Sequence, residues 1–239
     1  MGTHQKQLAD RLNIATALIA ALAITLLFNP SHVQPQTPQN SIDPELIAKA
    51  RAGDTEAQFQ LGELYQAGRD VPQSYERAAN WYRQAAEQGH EMAQLFLAAL
   101  YDHGQGVTQD YAQAFLWYRK AAEQGNPIAQ YNLGQHYSDG HGVPQDFAEA
   151  ANWDRKAAEQ GLAMAQEFLG ISYRLGRGVP QDNMAAYIWL DIAAARMQKP
   201  DLDTVIKVRD VVAAELTPSE LANAQKQAAE WFAAHPSKP

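Results

Sequence analysis

The chain has 239 residues, 46% of them hydrophobic, which is enough to build a sizeable core. Its net charge of −8 argues against a nucleic-acid partner, which calls for a basic stripe. The absence of cysteine excludes both a disulfide framework and thiolate metal sites.

In chain order, the first feature is an apolar run, Leu12–Phe28, preceded by Lys6 and Arg11 and followed by no basic residue until Lys49. Seventeen residues is the short end of a membrane-spanning helix. The charge asymmetry puts residues 1–11 in the cytoplasm and the remainder across the membrane. Residues 12–28 therefore read as a transmembrane signal anchor. A cleaved signal peptide is the alternative, in which the chain is secreted. Ala21-Leu22-Ala23 offers a small-x-small site, but Ile24–Phe28 is still apolar, so the cut would fall inside the run.

Residues 29–40 are rich in Pro, Gln and Asn and form a linker that holds the rest of the chain off the membrane. Residues 41–52 contain a capping helix, with Asp43 as N-cap and Pro44 at the first helical position.

From Gly53 a 36-residue period repeats four times without insertion: 53–88, 89–124, 125–160 and 161–196. A fixed period of this length indicates stacked small units rather than a globule with a cleft. It shifts the expected function from enzyme toward binding scaffold. Each unit reads as helix, loop, helix. Helix A of the first unit is expected over Thr55–Ala67. Gly68, Gly104, Gly140 and Gly176 stop the four A helices. Asp70 stands where the other loops carry a second glycine and has to take a positive φ. Ser74, Asp110, Asp146 and Asp182 cap the B helices. Ala78, Trp81 and Ala85 share a face of helix B, and Trp and Tyr are expected to fill the space between closely packed backbones. Residues 197–239 form C-terminal capping helices, over Asp201–Leu216 and from Thr217-Pro218-Ser219-Glu220 to about Ala234.

The third unit carries Ala129-Gln130, Leu133-Gly134, Tyr137, Gly140, Gly142-Val143, Gln145-Asp146, Ala150, Trp153 and Ala157-Ala158-Glu159-Gln160-Gly161. This pattern resembles the Sel1-like repeat, which is tetratricopeptide-like. The resemblance covers about 144 of the 239 residues. It departs at Asp154, where Tyr is usual, and at Leu190. It implies an all-α fold: an α/α superhelical solenoid of helix-turn-helix repeats, here preceded by one transmembrane or signal helix. It also implies a concave face lined by helix A and a role as adaptor or regulator. Some cysteine-rich members are described as binding or hydrolysing β-lactams. This chain has none of those cysteines.

Positions shared by the units serve the fold, so specificity is expected where the units differ. On helix A the shared stripe is Ala57, Gln58, Leu61, Gly62 and Tyr65, and the opposite stripe varies. It supplies the candidate partner-binding residues Gln60, Glu63, Phe96, His103, Asn132, Gln135, Asp139, Phe168 and Ile171. Phe96 and Phe168 are anchors for a protein or peptide, or else simply pack between units. His136, Asp139 and His141 do not supply the three or four converging ligands of a metal site. The glycine loops lack the lysine and preceding strand of a phosphate loop, and the Ala-Ala-Glu-Gln segments end helix B and face solvent. No catalytic, cofactor-binding or metal residue is expected. The expected function is a non-catalytic, membrane-anchored scaffold at the bacterial inner membrane, with the repeats in the periplasm. A secreted cell-envelope enzyme of β-lactamase-like or peptidoglycan-acting type is the alternative.

Overall fold

A computed structural model describes residues 42–199 and 201–235, and every regular element among them is an α-helix. The apolar run 12–28 and the linker 29–40 lie outside the described residues. Among the described residues no helix is long and apolar enough to cross a membrane.

The first helix, α1 (Pro44–Arg51), starts where proline at the first position removes an N–H that would have no partner. Asp43 caps it by accepting from the Glu45 backbone N–H at 2.9 Å. Its Leu46 and Ile47 pack with Ile42 and Ala50 against Ala57 and Leu61, sealing the end of the array.

Four helical hairpins follow: α2 (Thr55–Ala67) with α3 (Tyr75–Glu87), α4 (Glu91–His103) with α5 (Tyr111–Glu123), α6 (Pro127–Asp139) with α7 (Phe147–Glu159), and α8 (Ala163–Leu175) with α9 (Asn183–Ala194). The glycine stops take the left-handed conformation, Gly140 at φ 75°, and Asp70 follows with φ 61°. Ser74, Asp110, Asp146 and Asp182 accept backbone N–H groups at the starts of the B helices. Loop position Gly142 needs glycine for two reasons. Its φ is 72°, and a Cβ there would overlap the Tyr111 carbonyl of the preceding repeat.

Two expectations need correction. The glutamines that end the B helices do not merely face solvent. Gln88, Gln124 and Gln160 donate to the side-chain oxygens of Gln58, Gln94 and Gln130 at 2.7, 2.7 and 2.8 Å. The buried glutamines donate in turn to the Ala50, Ala86 and Ala122 carbonyls near the end of the preceding helix. A glutamine ladder therefore ties each of the first three A helices to the helix before it and the helix after it. Gln94→Ala should cost about 1–3 kcal/mol, because it strands buried polar partners. Urea denaturation checks this, and a loss under about 0.5 kcal/mol would show the ladder to be incidental.

The second correction concerns the aromatic filler. Trp117 is 9% exposed, but Trp81, Trp153 and Trp189 are only half-buried, whereas Tyr82 and Tyr118 are 0% and 2% exposed. Residues 78, 82 and 85 share one helical stripe, at spacings of four and three. The tryptophan one position earlier falls on its flank, where lysines lie over the ring: Lys120 Nζ is 3.9 Å from the Trp117 centroid and Lys156 Nζ is 3.6 Å from that of Trp153.

Beyond the repeats, α9 packs against α10 (Asp201–Glu215) and α11 (Pro218–Ala234). Thr217 and Glu220 form a reciprocal capping box. Val205, Val212, Ala224 and Ala228 are buried. Arg196 occupies the register slot of Gln160. It keeps the bond to the glycine carbonyl, here Gly161 at 3.3 Å, and its guanidinium lies 4.7 Å from the Trp231 ring centroid. The repeat's own linking residue thus becomes the attachment point of the C-terminal cap.

Candidate binding face

Most repeated residues of helix A turn inward, and the candidate stripe does not. Ala57, Gln58, Leu61 and Gly62 are buried, as are their counterparts through Gly170. Of the nine candidate residues, Gln60, His103 and Asp139 are exposed, and Glu63, Phe96, Asn132, Gln135, Phe168 and Ile171 are half-buried. Gln60 donates to Glu56 at 3.0 Å along its own helix. The Glu63 carboxyl sits above its ordinary pKa, through burial first and against the pull of Arg69. Asp139, although exposed as a residue, is also raised by partial burial, opposed by His141 and His136.

The phenylalanines occupy an intermediate position between core and surface. Phe96 stacks on Tyr82 of the preceding repeat with centroids 5.4 Å apart and planes 15° apart, and lies 5.9 Å from Phe59. Phe59 and Tyr82 are themselves 5.7 Å apart, so the three rings form one cluster across the first repeat junction. Two repeats later the register places Tyr131, Asp154 and Phe168 at the same positions. Phe168 meets Tyr131 edge-on at 5.5 Å. Ile171 packs against the C-terminal cluster.

His136 and His141 come together, but not around a metal. His136 is 3% exposed, its Nδ1 is 2.9 Å from the His141 carbonyl oxygen, and its Nε2 is 3.3 Å from Asp102 Oδ1. The latter is an ion-pair distance without hydrogen-bond alignment. Both ring nitrogens face protein, so this histidine joins the second and third repeats. His141, in the glycine loop, is half-buried, with its ring stacked on Tyr111 at 4.2 Å and 8°. Among the described residues no group of three or more His, Asp or Glu side chains could hold a metal ion.

Two further acids on this side carry no signal strong enough to mark them as site residues from sequence. Asp154 is 3% exposed, and its Oδ1 has no hydrogen-bond partner. Burial alone holds its carboxyl well above the usual carboxylate range. Glu167, next to Phe168, is pushed up to about 7 by burial first and then by Asp201. Asp154, Glu167 and Asp139 all raise the Tyr131 phenol, after burial. The one sequence signal is the departure of Asp154 from Tyr82 and Tyr118 in register.

No match was found among curated proteins. Among solved structures, a Sel1 repeat protein from Oxalobacter formigenes is 32% identical, covering 77% of this chain and 75% of that chain with a TM-score of 0.65. A protective antigen of uropathogenic Escherichia coli displaying an SLR fold is also 32% identical, with a TM-score of 0.52. That alignment covers 78% of this chain and 47% of the antigen's chain. The Sel1 repeat profile matches residues 55–90, 91–126, 127–162 and 163–196. Its frame starts two residues later than one set by the leading glycines, at the first residue of each A helix. With these four matches spanning more than half of its length, the chain belongs to the Sel1 repeat family.

Proposed function

We propose that this protein is a non-catalytic scaffold of the bacterial cell envelope, anchored by residues 12–28 in the inner membrane with its repeats in the periplasm. In this reading it binds a protein segment along the variable, concave face of its A helices. Sel1-repeat proteins are generally protein-interaction scaffolds. The observation that carries the choice of face is the division of labour on helix A. The recurring residues at the Ala57, Gln58, Leu61 and Gly62 positions are buried and the recurring tyrosines half-buried, while the other half-buried and exposed stripe changes character from Glu63 to Ala99, Gln135 and Ile171. A surface whose chemistry differs from unit to unit on a constant frame can select one partner.

A photo-crosslinking residue placed at Gln60 or Gln135 of the full-length protein in cells should give discrete adducts. The same residue at Leu116 or Arg119, exposed on helix B, should not. Adducts from the helix B positions alone would reject the assigned face. For topology, alkaline phosphatase fused after Gln39 should be active, and an inactive fusion would reject the periplasmic placement.

A further inference from the structure

In the first repeat, the Tyr82 ring crosses directly over Gly62, and its hydroxyl donates to Gln66 Oε1 at 2.7 Å. Phe96 of the next repeat covers the ring face. The third repeat keeps the glycine and the phenylalanine of this arrangement, Gly134 standing for Gly62 and Phe168 for Phe96. Its other two positions change, with Ser138 for Gln66 and Tyr131 for Phe59. The occupant changes most. Asp154 stands for Tyr82, and a Cβ built on Gly134 would lie 2.7 Å from its Oδ1. The aspartate therefore starts along the tyrosine's path over the glycine but is too short to span it as far as Ser138.

The carboxyl at the base of this slot has no cation of its own. Asp154 is 3% exposed, and its Oδ1 has no partner. The neighbouring cations of α7 are engaged elsewhere: Arg155 donates to the Tyr173 hydroxyl at 3.0 Å, and Lys156 lies over Trp153. An unpartnered, buried acceptor oxygen points to a donor supplied from outside. Burial disfavours the charged form of this carboxyl, so an incoming cation is what would draw it into ionisation, a response the tyrosine of the first two repeats lacks.

Resting on the scaffold reading, we propose that the third repeat is an arginine-recognition site. In it, Asp154 receives the guanidinium of a partner segment in the slot that Tyr82 fills in the first repeat, with Phe168 against its planar face. A guanidinium fits because it is flat, as the displaced ring is, can stack on an aromatic face, and offers paired donors to a carboxylate. A lysine ammonium supplies charge without the plane. The acids Asp139 and Glu167, which act on the same Tyr131 phenol as Asp154, and the chain's net charge of −8 favour a cationic visitor.

The test compares three labelled hexapeptides that differ at one residue, arginine, citrulline or lysine, in equilibrium dialysis with the full-length protein in detergent. Citrulline keeps the shape of arginine and removes its charge. Arginine should bind about tenfold or more tightly than citrulline, the gain expected of a charge-assisted hydrogen bond, and more tightly than lysine. Asp154→Asn should abolish the preference. Asp154→Tyr restores the residue of the first two repeats, so it should fold, with a raised Tm, and lose arginine binding. Equal binding of arginine and citrulline, equal binding of arginine and lysine, or retained arginine preference in Asp154→Tyr would each overturn the proposal. The photo-crosslink at Gln60 separates the two readings. If helix A adducts form while arginine shows no preference, this inference fails and the scaffold reading stands. If both are absent, both fail.

Discussion

Tyr82→Ala should destabilise the repeat domain by about 3–5 kcal/mol, the range for truncating a large buried aromatic. Tyr82 is 0% exposed, and its ring lies between the A helices of two successive repeats. It lies over Gly62 of its own repeat, meets Phe59 at 5.7 Å and is covered by Phe96 of the next repeat. Removing it opens a cavity that rigid helices cannot close, and forfeits the hydroxyl's bond to Gln66. Tyr82→Phe isolates that bond and should cost about 1 kcal/mol. Because each repeat is supported mainly by its neighbours, hydrogen exchange should accelerate more in α1–α3 than in α8 and α9. A loss below about 1 kcal/mol, or uniform acceleration, would show that this ring is not the junction's main support.

Glu167→Gln should stabilise the protein at alkaline pH and hardly change it at acid pH. Burial, reinforced by Asp201, holds the folded-state pKa at about 7 against 4.5 for the free side chain. A group raised on folding binds its proton more tightly in the native state. Its contribution is therefore fully present below about 4.5 and is lost as pH rises through 7. At pH 8 the ionised glutamate costs up to about 3 kcal/mol relative to its neutral form, and the amide removes that cost. Asp154, raised in the same direction, adds to the trend. Wild-type stability should therefore climb as pH falls from about 7 toward 4.5, opposite to ordinary acid denaturation. Urea denaturation at pH 8 and pH 4.5 checks both statements. A gain from Glu167→Gln that is equal at the two values would mean that this glutamate is ionised normally in the folded protein.

Both predictions concern residues that carry weight through their neighbours, and such residues were the least legible in the sequence. The helices themselves were readable because their signals are local. A glycine that must take positive φ, an aspartate that must receive an N–H and a proline that needs no donor each act within one turn. Thr55–Ala67 and the start at Pro218 follow from such signals, and the structure has them at those residues. The candidate face was legible only in part. Variation between repeats selects the stripe containing Gln60, Gln135 and Phe168, but the period by itself does not say how deep each side chain sits. Phe96 and Phe168 prove to be half core and half surface, because each packs on an aromatic ring of the preceding repeat, Tyr82 for Phe96 and Tyr131 for Phe168.

The sequence by itself determined the number of repeats, their helical limits, their caps and the family to which they belong. Each of these rests on spacing along the chain. The tertiary structure alone decided which polar residues are structural and which are left in want of a partner. Gln58 and Asp154 both look like ordinary polar side chains on helices. Stacking gives Gln58 a carbonyl 3.1 Å away and a second glutamine at 2.7 Å, while it gives Asp154 Oδ1 a glycine to lie over and no donor. The physical reason is that burial and hydrogen-bond satisfaction are set by the neighbouring layer, whose residues stand about 30 positions away in sequence for the glutamines and 20 for Asp154.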